Sequence, residues 1–352
     1  MKFALVVPVG AFHPFLEATL ASLAAQTEHV AVALMDASGD ERVRKLAETY
    51  TDLITFAQHG PDEGQADAIA TGWRKIDGDV LGWLNADDRL YPDALTHARV
   101  ALETGADVVY GQSTIIDTQE RMTGWQYAVE PPSERLSHAA VISQPSCFFR
   151  RTLHDKVGGL DRSLHYTMDW DLFVRMYKAS GRFAFEDRAL SQVLWADDTK
   201  TSSLGGARRK EIKRMLELHS PNTMKFKSML GFGVQNVIDS APTGLKRLLL
   251  RRLMKEPQPL NGLLPDGTCT NQIRLPLCHY RDRSVHSASL HFAGPAPEVR
   301  AQVNGQPRES ASVGQSITIT LPQPLEAATS CSVTLSIPGD HRPTFLYAEL
   351  LD

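Results

Sequence analysis

The sequence predicts an α/β domain built on a mostly parallel sheet with helices on both faces, then a basic helical segment, then a small antiparallel β-sandwich. Three observations carry this expectation. Apolar runs alternate with amphipathic segments through the first half, the charge turns basic between Gly205 and Lys255, and after Pro257 and Pro259 short alternating runs replace helical spacing. The expected divisions are 1–204, 205–256 and 257–352. With 352 residues, 42% hydrophobic and 22% charged, the chain is long enough for two domains and has a globular composition, which excludes a disordered, collagen-like or coiled-coil protein.

The elements of the first half follow from periodicity. FALVVPV (3–9), VAVALMD (30–36), LITFA (53–57), DVLGWLN (79–85) and DVVYG (107–111) read as buried strands. Between them, Phe15 to Ala25, Arg42 to Tyr50, Gln65 to Ile76 and Tyr91 to Glu103 read as helices, the last with Pro92 near its first turn. Repeated strand and helix alternation implies parallel strands, and the ligand site of such a sheet lies at the carboxyl ends of its strands. In the last third, SASLHFAG (287–294), EVRAQVNG (298–305), QSITITLP (315–322), CSVTLSIPG (331–339) and TFLYAELL (344–351) alternate between turn residues as antiparallel strands do.

Charge is unevenly spread. The formal net charge is −4, which gives no support for nucleic-acid binding, yet Gly205 to Lys255 holds 12 basic residues against three acids, or +9, leaving −13 elsewhere. Its apolar residues recur at helical spacing, so it reads as helices packed on the acidic half, with peripheral docking on an anionic membrane as the second reading. The four cysteines are too few and scattered for a disulfide framework, and the first apolar run is interrupted by Pro8, so a cytoplasmic protein is expected, soluble or peripheral at the inner face of the membrane.

Several segments carry chemistry. GWLNADDRLYP (82–92) ends an apolar strand in Asn85, Ala86, Asp87 and Asp88. Adjacent carboxylates at a sheet edge suit a hard cation, Mn²⁺ or Mg²⁺, shared with a diphosphate, because such ions need only one or two protein carboxylates when phosphates and water complete the shell. LMDASGD (34–40) sets Asp36 and Ser38 at another strand end, where Asp36 suits the imide of a pyrimidine. GPDEGQADAIATGW (60–73) places Asp62 and Gly64 before a helix, and Gly64 permits close backbone approach to a sugar or phosphate. YTMDWDLFVRM (166–176) opens a helix with Asp169 and Asp171. Each segment alone is also an ordinary turn, connector or dipole complement. Trp73 and Trp83 read as core, whereas Trp125, Tyr127, Trp170 and Trp195 flank the segments as stacking candidates.

In this order the segments resemble family 2 glycosyltransferases of the GT-A fold, inverting enzymes that use nucleotide-sugar donors, from about Lys2 to about Ser203. FALVVPVGAFHPFLEATLASLAAQT resembles the opening strand and helix, LMDASGD the base-binding loop, GPDEGQADAIATGWRKIDGDVLGWLNADD the run to the metal motif, and SQPSCFFRRTLHDKVGGLDRSLHYTMDWDLFVRM the acceptor-side segment that ends in the base. The resemblance implies Pro8, Asp36, Ser38, Asp62, Gly64, Asn85, Asp87 and Lys200 at the nucleotide sugar, a UDP-sugar being favoured. It implies a metal at Asp87 and Asp88, and Gln144, Pro145 and Trp170 on the acceptor side. Asp169 inherits the role of base and Asp171 a supporting one, although Met168 stands where relatives often have Glu, and Ala196 where they often have His.

The implied acceptor is a saccharide or lipid-linked saccharide of cell-surface polysaccharide synthesis. The β domain is then left for acceptor recognition or subunit contact, as in a homo-oligomer. Two other classes compete. A sugar nucleotidyltransferase would carry a Gly-rich basic loop after the first strand, which PVGAFHP lacks. A noncatalytic carbohydrate-binding protein would not need Asp87, Asp88 and Asp169 together.

Overall fold

A computed structural model of the chain describes residues 1–126, 134–195, 206–239, 241, 245, 248–250, 252, 259–339 and 342–352. The chain runs β1 (Phe3–Val9), α1 (Leu16–Ala24), β2 (Val30–Asp36), α2 (Glu41–Thr49), β3 (Ile54–His59), α3 (Gln65–Lys75), β4 (Val80–Trp83), β5 (Arg89–Leu90) and α4 (Ala94–Glu103). It continues through β6 (Val108–Ile116), β7 (Met122–Gln126), β8 (Cys147–Arg150), α5 (Arg151–Lys156), α6 (Met168–Lys178), β9 (Phe183–Leu194), α7 (Gly206–His219) and α8 (Asn222–Asp239). The remaining strands are β10 (Gln272–His279), β11 (Val285–Phe292), β12 (Arg300–Val303), β13 (Gln306–Arg308), β14 (Ser310–Val313), β15 (Ser316–Leu325), β16 (Thr329–Ser336) and β17 (Phe345–Leu351).

Two compact units divide these elements, one of Met1–Ser113, Tyr127–Val193 and Asp198–Gly233, the other of Thr114–Gln126, Leu194–Asp197 and Val234–Asp352. The expected α/β class holds in the first. β1 lies parallel to β2 and β4, and β2 parallel to β3, while β8 joins β4 and β6 in antiparallel pairing. β1 shows why its run is continuously apolar: Ala4 and Val6 enter one core, and Phe3, Leu5, Val7 and Val9 enter another on the opposite face. Leu16, Leu20 and Leu23 of α1 and Leu95 and Leu102 of α4 fill the second core; Ile69 and Trp73 of α3, Leu172 and Met176 of α6, and Met215 of α7 fill the first.

The fourth expected helix starts three residues later than its apolar pattern. Arg89 and Leu90 pair with Gln192 and Ser191 as β5, and the Tyr91 N–H donates to Leu190 O at 2.9 Å, so this stretch is held extended ahead of Pro92. β8 and β9 lie where no strand was expected, because their partners are distant in sequence.

In the second unit, β10, β16, β12 and β13 form one antiparallel sheet. β14, β15, β11, β17 and β7 follow one another in antiparallel pairing in a second layer, and β15 packs against β12, β13 and β16 of the first. The expected antiparallel sandwich is thus present, with Leu290, Phe292, Ile317, Val333 and Leu335 buried inside it. Its Tyr347 ring is covered by His291 at 4.3 Å and by the Arg121 guanidinium at 4.1 Å, so it offers no bare face for sugar stacking.

Gly72 lets α3 approach the sheet closely. A Cβ there would lie 2.8 Å from both Val6 methyls and 3.3 Å from Ala33 Cβ. Gly72→Ala is therefore expected to destabilise the first unit by about 1–3 kcal/mol through overpacking, measured by denaturant unfolding.

Candidate active site

The parallel register lines up the strand ends. Val9 pairs with Asp36 and Asp36 with His59, and β4 ends three residues short of this edge, with Val6 opposite Trp83. Pro8 lies in β1 opposite Met35. Asp36, 2% exposed, is committed on both oxygens: Oδ1 accepts from the Ser38 N–H at 2.9 Å and from its hydroxyl, and Oδ2 lies 2.7 Å from His59 Nδ1. Asp36 therefore acts at the edge through Ser38 and His59 as well as by its own charge.

Asp62 Oδ1 accepts the Gly64 N–H at 2.8 Å, and Gly64 caps α3 at φ 112°, a conformation that only glycine adopts easily. A side chain at Gly64 would start 3.6 Å from the His165 ring, so the α3 cap and the loop before α6 approach closely. Gln65 Nε2 donates to Asn85 Oδ1 at 2.7 Å, and Asn85 Nδ2 donates to Asp88 Oδ2 at 3.0 Å. The Asn85 amide is thus engaged on both sides, binding the start of α3 to the turn after β4. Asp88 is 3% exposed, whereas Asp87 is half-buried beside it.

Gln144 Nε2 donates to Trp83 O at 2.7 Å, seating the Gln144–Ser146 turn on the end of β4. Pro145 is buried in the same turn. Ser113 Oγ lies 2.6 Å from Ser143 Oγ and 2.7 Å from both Ser146 Oγ and Ser191 Oγ, a buried cluster that ties this turn to β6 and β9.

α6 carries two carboxylates in unlike settings. Asp169 is half-buried. Burial pushes its carboxyl above the ordinary aspartate range, against the opposing pull of the Trp170 backbone N–H at 2.7 Å and the charge of Arg208. Burial also lifts the Cys147 thiol well above its usual range, and the Asp169 charge adds to that.

Asp171 is 6% exposed; burial opposes its ionisation, but His219 Nε2 at 3.0 Å and the Arg175 guanidinium at 2.7 Å outweigh it and hold the carboxyl below its ordinary range. The two residues expected to share a catalytic role therefore separate, with Asp171 a member of a buried ion-pair network. The acceptor-side role expected for Trp170 is corrected by its burial: at 2% exposure its indole N–H donates to Leu136 O at 2.6 Å, so it packs rather than stacks on a sugar. Trp125 is likewise buried, and Trp73 and Trp83 are core. Lys200, Tyr127 and Ala196 lie outside the described residues.

Sequence reasoning missed the residues that orient this site. Glu211 of α7 accepts the N–H groups of His165, Tyr166 and Thr167 at 2.9, 2.8 and 3.2 Å, holding the chain that enters α6. His219 of the same helix reaches Asp171. The available signal was Glu211 itself, a lone acid within RRKEIKR. His59 stood two residues beyond the expected strand, where its step with Asp36 becomes visible only in the sheet.

The donor chemistry at the end of β4 fits a hard divalent cation: Asp87 offers a carboxylate at the turn, next to the buried Asp88. Among the described residues no three His, Cys, Asp or Glu side chains gather as a preformed metal cluster. A cation here would draw its remaining ligands from substrate phosphates and water.

The contrast within α6 is measurable as stability. Because the Asp169 carboxyl is raised in the folded state, its ionisation disfavours folding, and the penalty grows as pH rises from the ordinary aspartate range through the raised value. Asp169→Asn is expected to raise the melting temperature at neutral pH, the gain vanishing in acid. Asp171 has the opposite sign: its contribution is present at neutral pH and lost as pH falls through its lowered value. Asp171→Asn is expected to cost about 3 kcal/mol at neutral pH, as loss of one partner of a buried ion pair does.

The family profile described as "Glycosyl transferase family 2" matches residues 5–158. An uncharacterized glycosyltransferase of Bacillus subtilis, YwdF, is 25% identical over 62% of this chain and 84% of its own length. RP339 of Rickettsia prowazekii, also an uncharacterized glycosyltransferase, is 22% identical over 57% of this chain and 66% of its own. Among solved structures, S. aureus TarS 1-349 in complex with UDP-GlcNAc aligns at a TM-score of 0.49 and 16% identity, over 71% of this chain and 86% of that one. The mannosyltransferase PcManGT of Pyrobaculum calidifontis, in complex with GDP-Man and Mn²⁺, aligns at 0.46 and 17% identity, over 72% and 76%. Residues 5–158, in the N-terminal unit, thus match the family 2 glycosyltransferases.

Proposed function

We propose that this glycosyltransferase moves a sugar, with inversion, from a nucleotide-sugar donor to a hydroxyl of a saccharide or lipid-linked saccharide acceptor, in the synthesis of a cell-surface polysaccharide. A UDP-sugar is the favoured donor, since Asp36, Ser38 and His59 form a polar edge suited to the imide of a pyrimidine. The observation that carries the reading is Asp169 in the first turn of α6, a half-buried carboxyl raised above its ordinary range by burial. Such a shift makes a carboxylate a better proton acceptor near neutral pH.

In the transfer, the acceptor oxygen attacks the anomeric carbon as its proton passes to Asp169. The new C–O bond forms on the face opposite the leaving group, and the electron pair of the broken C–O bond departs with the nucleoside diphosphate. Asp87, with Asp88 beside it, would hold Mn²⁺ or Mg²⁺, which supplies positive charge to the diphosphate. Gln144 keeps the acceptor-side turn on β4, and Glu211 keeps the start of α6 in place. We assign the chemistry to residues 1–204, with α7 as its support, and acceptor recognition or subunit contact to 257–352. The four buried free cysteines, Cys147, Cys269, Cys278 and Cys331, suit a reducing, cytoplasmic setting.

Kinetics with a UDP-sugar panel test this reading. Asp169→Asn is expected to lower turnover by about 10² or more while UDP affinity stays within about twofold, and wild-type turnover should rise with pH through a value above the ordinary carboxylate range. Full turnover in Asp169→Asn would sink the assignment of the base. Asp87→Ala is expected to abolish the Mn²⁺ dependence of UDP binding in calorimetry; an unchanged Mn²⁺ effect would remove the cation from this site.

A further inference from the structure

The two faces of α8 differ sharply. Inward, Met229 and Phe232 pack against the first unit's core, with the Phe232 ring 5.5 Å from Trp170. Outward, Phe226 is 79% exposed, Leu230 61%, Val234 36% and Val237 64%. Steps of four, four and three residues put these side chains on one stripe of the helix. A contiguous stripe of large apolar side chains is unusual on a protein surface without a partner.

The charges around the stripe have one sign. Lys225 and Lys227 flank Phe226, and no acidic residue occurs between Glu217 and Asp239. Arg209 and Lys210 of the preceding helix are exposed, as is Leu218. The wider segment carries +9 while the remainder of the chain carries −13.

We propose that the outward face of α8 docks on an anionic lipid surface. Phe226 and Leu230 enter the boundary between headgroups and acyl chains, and the ammonium groups of Lys225 and Lys227 reach back to the lipid phosphates. The acidic remainder of the chain is repelled by the same surface, so the charge asymmetry favours one orientation. A two-fold contact with a second copy centred on Phe226 would set Lys225 and Lys227 close to their counterparts, which disfavours that occupant. Among the described residues no helix is long and apolar enough to cross a membrane, so the contact lies in the plane of the interface. The inference does not depend on the donor or acceptor proposed above.

The test is co-sedimentation of the full chain with phosphatidylcholine vesicles, with and without phosphatidylglycerol, at low and high salt, alongside light scattering. Binding to the anionic vesicles is expected to exceed that to neutral ones by about tenfold or more and to weaken with salt. Phe226→Ser with Leu230→Ser, and separately Lys225→Gln with Lys227→Gln, should each lower it by about tenfold, leaving the circular dichroism spectrum and UDP-sugar hydrolysis unchanged. The lysine pair keeps the test decisive if the serine pair fails to fold. Equal binding to both vesicle types, or full binding by a folded variant, would overturn the proposal. So would an oligomer that the serine pair dissociates without any vesicle binding, which would make the face a contact between copies.

Discussion

The in-register pairing of β1 with β2 and β4 is the constraint on which the rest of the catalytic unit depends. Both faces of β1 are buried, and they are not equivalent: Val6 meets the close approach of α3 at Gly72 and Ala4 that of Gly78, while Phe3, Leu5, Val7 and Val9 fill the wider space under α1 and α4. A slip of one residue would drive large side chains into the narrow side and leave the wide side underfilled. The same register sets Asp36 beside His59 and ends β4 opposite Val6, so that the turn after β4 runs on toward that edge. Packing thereby positions the polar residues, although none of them contributes to the core.

Around that edge, the polar side chains act mostly on one another and on backbone. Gln65, Asn85 and Asp88 form a chain of hydrogen bonds that sets the turn after β4, and Gln144 holds the same strand from the other side. Such buried networks are stable only when their members are satisfied, and they fix a geometry in return. The half-buried end of this arrangement is Asp87, in the turn whose shape the network maintains.

α6 illustrates how one helix turn supports two carboxylates with opposite behaviour. Asp171 is met by Arg175 and His219 and stays charged; Asp169 is desolvated with weaker compensation and holds its proton more readily. Divergent environments for neighbouring acids are a general route to dividing structural from chemical roles. Here α7 maintains the difference, since Glu211 secures the entry to α6 and His219 hydrogen-bonds Asp171. α7 is thus part of the first unit's architecture through Glu211 and His219, while Arg209 and Lys210 beside them stay exposed.

The sequence by itself determined the strands at 3–9 and 30–36, the α/β order, the β-rich last third and the family, because each rests on local periodicity or on motifs a few residues long. It also singled out Asp36, Asp87, Asp88 and Asp169 as the acids to watch. Tertiary structure decided what it left open. Only the sheet shows that β3 extends to His59, only the α6–α7 packing separates Asp169 from Asp171, and only burial removes Trp170 from the list of sugar platforms. Periodicity reports which face of an element is apolar, whereas the state of a titratable or aromatic group depends on neighbours brought from 34 to 48 residues away, as Leu136 is to Trp170 and His219 to Asp171.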